Sequence, residues 1–212
     1  MDLAGTVPGP HGLGNTETSS ARLMERLRQA TAQAHEGLDR ALDLFPLETA
    51  RIAALLGGFL SFHRAWEPAL TAHPHLAALF EGRSRIALLE ADLAALGVDE
   101  QARAALEPCP QAARLAADPR QALGSLYVME GSTLGGQVIS RALARAGGFP
   151  PAGLAYFNPY GAEVGVRWRA FGAAAQAMTP AWAYGRVEVG ALACFALLTD
   201  WLPPRLAPRA CS

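Results

Sequence analysis

The sequence predicts an all-α fold, a single-domain bundle of six to eight helices, from three observations. Apolar residues recur at steps of three and four, as in Leu23, Leu27, Ala30, Ala34 and Leu38, and this spacing lines one face of an α-helix. No alternating strand pattern reaches a useful length. The 212 residues are 51% hydrophobic and 17% charged, which is typical of one globular domain.

Helices are expected where such faces persist, and proline or glycine separates one helix from the next. The expected helices cover about 21–42, 47–70, 84–96, 100–106, 119–146, 162–178 and 180–202. The breaks fall at Pro46, His73-Pro74-His75, Gly97, Pro108 with Pro110, Gly147-Gly148 and Pro203-Pro204. The pattern predicts a helical domain over 21–205, between a flexible N-terminal tail (1–20) and a C-terminal tail (206–212).

The charged residues and cysteines exclude several classes of protein. All 18 basic residues are arginine, so the chain lacks the amine that Schiff-base enzymes and P-loop nucleotidases require. A formal net charge of −1 gives no overall field for holding nucleic acid, and three scattered cysteines favour a reducing compartment. No secretory signal is evident, and the longest uncharged stretch (146–162) is interrupted by proline and glycine. We therefore expect a cytoplasmic protein that binds neither nucleic acid nor membrane.

Gly131, Gly135 and Gly136 are unusual because they lie inside the expected helix 119–146. A glycine there costs about 0.8–1 kcal/mol relative to alanine, so the three together cost roughly 2.5–3 kcal/mol. Tyr127, Gly131 and Gly135 are spaced four residues apart and share a face, which predicts a smooth trench with a phenol at one end. Close packing of a neighbouring helix and a ligand lying on the trench both explain the missing side chains.

His35 and Arg28 lie two turns apart on one face of the first expected helix, a separation of about 10.5 Å along its axis. A neutral imidazole can act as an axial ligand of iron, and a guanidinium can pair with a carboxylate through two hydrogen bonds. Together they suit a flat, dianionic ligand, although a half-buried structural histidine fits the same spacing. Arg167 and Arg169, on either side of Trp168, form either a second anion clamp or a solvated arginine face.

The remaining candidates are weaker. His63 is expected at the edge of the core, and His73 and His75 are too close together to form a metal site on their own. A di-iron four-helix bundle needs Glu-x-x-His pairs, but none of the five histidines has a glutamate three residues before it. Cys194 is expected to be a small buried apolar residue.

Two segments, taken together, resemble the haem oxygenase family, especially its bacterial, biliverdin-producing branch that is often found with bacteriophytochromes. Residues 27–39, LRQATAQAHEGLD, look like the proximal helix of that family, and residues 127–137, YVMEGSTLGGQ, look like its distal helix. The later segment 167–171, RWRAF, resembles the basic and aromatic helix that follows. The resemblance covers about residues 20–202 and implies a multi-helix bundle of the haem oxygenase-like type.

By this resemblance, His35 would be the proximal ligand to the iron of haem b, which is both cofactor and substrate. Arg28 and Tyr127 would contact a haem propionate, and Arg167 or Arg169 would contribute on the same edge.

The distal segment would carry the catalytic residues. By the resemblance, Gly131 and Gly135 would let the helix backbone lie directly over the haem. Ser132 stands where the animal-type enzymes have an aspartate that organises the proton-delivering water, so it is the third expected catalytic residue.

The implied reaction is an oxidative ring opening, in which haem, O₂ and electrons give biliverdin, CO and Fe²⁺. The resemblance also implies an electron donor such as ferredoxin or a reductase, and makes a bacteriophytochrome a candidate receiver of the biliverdin. The residues leave two other functions open: a non-catalytic haem carrier or sensor on the same fold, and a metal-free enzyme that would need Cys194 or a carboxylate pair in the bundle centre. A purely structural module would leave the glycines unexplained.

Overall fold

The computed structural model describes residues 16–150 and 154–206. Within these residues the chain is helical and has no β-strand, which confirms the predicted all-α fold. The helices are α1 (Thr16–Leu42), α2 (Thr49–Thr71), α3 (Pro74–Phe80), α4 (Ile86–Ala95), α5 (Glu100–Ala104), α6 (Pro110–Arg114), α7 (Pro119–Ala146), α8 (Val164–Met178), α9 (Tyr184–Trp201) and α10 (Pro203–Leu206). Short 3₁₀ turns over 155–157, 161–163 and 181–183 connect the last long helices.

Every helix expected from the sequence is present, and the bounds of α7 agree with the expected 119–146. Helix α1 begins at Thr16, inside the segment expected as a tail. Residues 1–15 and 207–212, which make up the rest of the expected tails, lie outside the described residues.

Three short helices, α3, α6 and α10, are not among the expected helices, and each begins with a proline where the sequence pattern predicts only a break. Proline has no N–H group to lose in the first turn of a helix, and its fixed φ suits that position. A proline that ends one segment can therefore also be the first residue of the next helix, as at Pro74, Pro110 and Pro203.

Helix α9 lies against both α1 and α7 and forms the centre of the bundle. Its contact with α7 depends on two glycines. A Cβ atom on Gly124 would lie 2.9 Å from the carbonyl carbon of Gly190, and a Cβ atom on Gly190 would overlap the backbone of Gln121. The two backbones therefore touch directly, and this contact holds α7 firmly against α9.

The segment Ala181–Leu206 is long and apolar enough to span a membrane, with a mean hydropathy of 1.3 over its most apolar window. In the fold, however, its side chains at Val187, Ala191 and Cys194 are fully buried in the core. The apolar character of α9 is explained by this central position.

Candidate functional site

Helices α1 and α7 meet where Thr31 faces the phenol of Tyr127. They also end close together, beside the start of α2. Arg51 of α2 donates a 2.6 Å hydrogen bond to the last carbonyl of α1, and the Cβ position of Gly148, just after α7, lies 3.7 Å from Oγ1 of Thr49. The two helices therefore run in the same direction from their contact.

This common direction brings together the residues singled out in the two helices. His35 lies one turn beyond Thr31 on α1, while Gly131 and Gly135 lie one and two turns beyond Tyr127 on α7. The candidate iron ligand and the glycines thus follow the same contact between α1 and α7, and the space between the two helices beyond that contact is called the cleft below.

The side chain of His35 is 61% exposed and lies beside a carboxylate. Its Nδ1 lies 3.1 Å from Oδ2 of Asp39, one turn later, and its ring meets the edge of Phe195 with centroids 5.8 Å apart. Nε2 has no hydrogen-bond partner among the described residues. A carboxylate beside one ring nitrogen leaves the other nitrogen available to a metal, and the exposure of His35 differs from the half-buried structural histidine that its spacing also allows.

The three glycines of α7 have three different surroundings. A Cβ atom on Gly136 would fall on the carbonyl oxygen of Phe157, so this glycine allows close backbone packing. A Cβ atom on Gly131 would lie 3.4 Å from the indole of Trp168. At Gly135, no described atom comes within 4 Å of the Cβ position. Packing therefore explains Gly136, whereas Gly135 is exposed and faces open space.

The trench expected over Tyr127, Gly131 and Gly135 is not smooth along its whole length. The Trp168 ring covers Gly131 and packs on Tyr127, with centroids 5.6 Å apart. Tyr127 is only 8% exposed, and burial raises the pKa of its phenol above the usual range, an effect that the Thr31 hydroxyl and the Arg28 charge oppose. Because Trp168 of α8 covers the part between Tyr127 and Gly131, the trench is open only from Gly135 onward.

The open part of this face is apolar. Leu134 and Val138 flank Gly135 on α7 and are 41% and 58% exposed. Exposed apolar side chains around a bare stretch of backbone are suited to a flat apolar ligand.

The structure separates the two arginines of α8. The Arg167 guanidinium lies 4.6 Å from the ring centroid of Tyr160 and donates a 3.4 Å hydrogen bond to the carbonyl of Gly82. Arg169 is exposed and forms no ion pair with any described carboxylate. Arg167 is therefore held by neighbouring groups, and Arg169 is available for an anion.

Arg169 also lies on the side of α8 that faces α1. The Cβ position of Gly172 lies 3.2 Å from Cγ of Met24. One turn from this contact, toward Tyr127, α8 carries Arg169 and α1 carries Arg28. Arg28 is exposed and is paired at 3.0 Å only with Glu25, also on the surface. The two cations thus lie one turn from the same contact between α1 and α8.

Ser132 and Thr133 use their hydroxyl groups within α7. Ser132 donates a 2.8 Å hydrogen bond to the carbonyl of Met129, and Thr133 donates a 2.7 Å hydrogen bond to the carbonyl of Glu130. Such bonds within a helix often accompany local bending. Because the Ser132 hydroxyl already donates its proton to the carbonyl of Met129, it can only accept a hydrogen bond from a bound water.

A buried ion cluster lies behind the glycine face and was not expected from the sequence. Glu130 pairs with Arg83 and, at 3.1 Å, with Arg85, and it accepts a 2.9 Å hydrogen bond from Tyr160. The three charged side chains are almost completely buried. Arg83 and Arg85 precede α4 at no recognisable spacing from α7, so only the fold brings them to Glu130. The cluster anchors α7 at the residue just before Gly131.

The other candidates have structural surroundings. His63 is buried, and its Nδ1 bonds Glu67 at 2.9 Å; burial lowers the pKa of this imidazole, and the bond to Glu67 only partly offsets that effect. His73 bonds the carbonyl of Ala116. Cys194 is fully buried, and burial raises the pKa of its thiol far above the usual range, which argues against a cysteine nucleophile. No cluster of three or more metal-ligating side chains occurs among the described residues.

Two residues near the site are absent from the sequence-based expectations, and the sequence could have indicated only one of them. Asp39 stands four residues after His35, the spacing at which helical side chains meet. Trp168 was noted only as the residue between two arginines, and nothing in its local pattern shows that it crosses to α7.

Comparisons with known proteins identify the family and a similar fold. A family model described as Heme oxygenase matches residues 21–203. A crystal structure of heme oxygenase-1 from the cyanobacterium Synechocystis sp. PCC6803, in complex with heme, has a similar fold, with a TM-score of 0.71 and 18% sequence identity over 85% of this chain and 90% of that chain. No curated protein sequence matches this chain. The match to the family model extends over every helix that borders the cleft.

Proposed function

The chain belongs to the haem oxygenase family, and from this premise we propose that His35 binds the iron of haem in the cleft between α1 and α7, where the ring is opened to biliverdin. As a member of this family the chain is an oxidoreductase, with haem as its cofactor and substrate. The matched residues 21–203 support the helical domain 21–205 as the catalytic unit.

The single observation that carries this proposal is the open space at Gly135, and we propose that this space faces His35. No described atom lies within 4 Å of the Cβ position, although a helical glycine costs about 0.8–1 kcal/mol. The opposite wall offers the Nε2 atom of His35, whose other nitrogen is held by Asp39. A bare backbone surface on one side and an oriented imidazole on the other fit a flat metal-containing macrocycle.

The cations at the end of the cleft fit the two carboxylates of haem. Arg28 and Arg169 border this end from α1 and α8, and guanidinium groups bind carboxylates through paired hydrogen bonds. Of the two arginines on α8, we assign this role to Arg169, because Arg167 is already engaged with Tyr160 and Gly82.

Tyr127 lies at the same end but is largely buried. We propose that its phenol supports the propionate edge together with Arg28, whose charge acts on it. Because burial raises the phenol pKa, the hydroxyl keeps its proton at neutral pH and can donate a hydrogen bond.

When bound, haem supplies the redox chemistry of its iron. The protein orients the haem, excludes bulk water from it and supplies protons. The imidazole of His35 is fixed by Asp39, and a neutral nitrogen ligand does not drive O–O cleavage as a thiolate does. Gly135 leaves the face proposed to lie opposite His35 without a side chain, and Gly131 makes room for the indole of Trp168. Ser132 can accept a hydrogen bond from a water on that face, since its own proton is bound to the helix.

The finer biological assignments follow from the same premise. The reaction requires electrons, so we propose a ferredoxin or a reductase as donor, and a bacteriophytochrome as a receiver of the biliverdin. We propose the cytoplasm as the place of action, with no nucleic-acid or membrane partner.

Titration of the apoprotein with hemin tests the proposal. We expect a Soret band of a histidine-ligated haem that saturates at one equivalent, and a biliverdin band after addition of a reductant and O₂. His35→Ala should lose the histidine-ligated spectrum, while His75→Ala, which removes an exposed histidine outside the cleft, should keep it. An unchanged spectrum in His35→Ala would remove the ligand assignment, and binding without biliverdin would indicate a haem carrier or sensor.

A further inference from the structure

Trp168 stands over the closed end of the cleft and has no role in the function proposed above. The outer edge of its six-membered ring lies 3.4 Å from the Cβ position of Gly131. Its centroid is 5.6 Å from that of Tyr127. The indole thus joins α8 to the glycine face of α7, at the level where that face becomes open.

Buried side chains hold the indole from behind. Trp168 stacks on the fully buried ring of Phe171, with centroids 5.7 Å apart and planes inclined by 24°. The guanidinium of Arg83 lies 5.8 Å from the Phe171 centroid and pairs with Glu130. Because Glu130 directly precedes Gly131, the tryptophan and the glycine face are fixed to the same ion cluster. Trp168 is therefore a firmly supported wall.

We propose that Trp168 is a specificity-determining residue that sets the in-plane orientation of the bound haem and so selects the meso carbon that is opened. The inference rests on the function proposed above. With Trp168 in place, the closed end of the cleft has an apolar side, formed by the indole over Gly131, and a positively charged side, formed by Arg28 and Arg169.

The physical reason is the cost of placing a carboxylate against an apolar wall. A propionate beside the indole would lose water without gaining a hydrogen bond, which is unfavourable. On the arginine side the same group gains paired, charge-assisted hydrogen bonds. The indole therefore excludes rotations that bring a propionate over Gly131 and favours an apolar haem edge there.

The test compares Trp168→Ala and Trp168→Phe with the parent protein, each reconstituted with hemin. Chromatography of the bilin after one turnover gives the isomer ratio. Proton NMR of the haem methyl groups in the ferric complex gives the in-plane orientation without turnover. We expect Trp168→Ala to keep the histidine-ligated Soret band and to lower the ratio of major to minor isomer by roughly tenfold, the discrimination that one apolar contact provides. Trp168→Phe, which keeps an apolar ring, should restore most of the selectivity.

Trp182→Ala is the matched control, since Trp182 is 74% exposed and packs on Arg120 at the surface; its isomer ratio should equal that of the parent. Circular dichroism checks that each variant is folded, and Trp168→Leu replaces the alanine variant if that variant unfolds. A parent-like isomer ratio and methyl spectrum in folded Trp168→Ala or Trp168→Leu would overturn the inference. Failure of the parent protein to bind hemin through histidine would instead refute the proposed function.

Discussion

Replacing Gly135 by alanine should make the apoprotein more stable and the enzyme less active. No described atom lies within 4 Å of the new methyl group, so the variant creates no clash. It gains helix propensity of about 0.8–1 kcal/mol. In a chain of this length that gain raises the melting temperature by about 2–4 °C.

The same methyl group should obstruct the reaction, because the space it enters is the proposed haem face. Inserting a methyl group into an already filled space costs about 1–3 kcal/mol. Since 1.36 kcal/mol corresponds to a tenfold change in rate, ring opening should slow by roughly ten- to a hundredfold.

Gly136→Ala is the matched contrast, one residue further along α7. Its methyl group would fall on the carbonyl oxygen of Phe157 and lie 3.1 Å from the carbonyl carbon. Because this obstacle is backbone, the overpacking cost of about 1–3 kcal/mol should exceed the propensity gain and lower the melting temperature.

Thermal melts of the apoproteins and single-turnover bilin formation with hemin and a reductant measure both effects. If Gly135→Ala melts below the parent or opens haem at the parent rate, the reasoning about the open trench is wrong. If Gly136→Ala melts above the parent, the packing explanation for that glycine fails.

Three further substitutions test the surroundings of the site. Asp39→Asn should weaken hemin binding by roughly tenfold, because the carboxylate no longer orients His35. An absorbance titration measures the hemin affinity, and an affinity equal to that of the parent would contradict the role of Asp39 in orienting His35. Glu130→Gln leaves two buried arginines without their carboxylate and should lower the free energy of unfolding by about 3–5 kcal/mol, measured by urea denaturation, with a near-zero change as the refuting result. At the start of α7, the N–H of Gln121 and other groups of the first turn hold the pKa of Asp118 below its usual value. The parent should therefore be more stable than Asp118→Asn at neutral pH, and this advantage should vanish as the pH falls through the lowered pKa; thermal melts across acidic pH would show a constant difference if the charge is irrelevant.

The fold could be predicted from the sequence because most helical signals are local. The bounds of α7 follow from Asp118, which accepts hydrogen bonds from the first turn, and from Gly147, whose positive φ of 73° ends the helix. The short helices α3, α6 and α10 were missed because a proline that ends one segment also provides a favourable first residue for the next.

Part of the site was also local. His35 and Arg28 share a face of one helix, and Gly131 and Gly135 share a face of another, so spacing alone grouped each pair. Spacing did not distinguish the three glycines of α7. Their separate roles depend on which group from the following segments of the chain lies over each glycine. The carbonyl of Phe157 lies over Gly136, the indole of Trp168 lies over Gly131, and Gly135 faces open space.

The sequence by itself determined the helices, the face that each presents and the residue types that suit haem. Only the tertiary structure decided that Trp168 covers Gly131 and that Arg83 and Arg85 neutralise Glu130. The physical reason is that a helix face follows from hydrogen bonds between residues four apart, whereas these contacts join residues 37 to 47 positions apart, as from Gly131 to Trp168 and from Arg83 to Glu130. Such contacts form only when whole helices pack, and no local pattern records them.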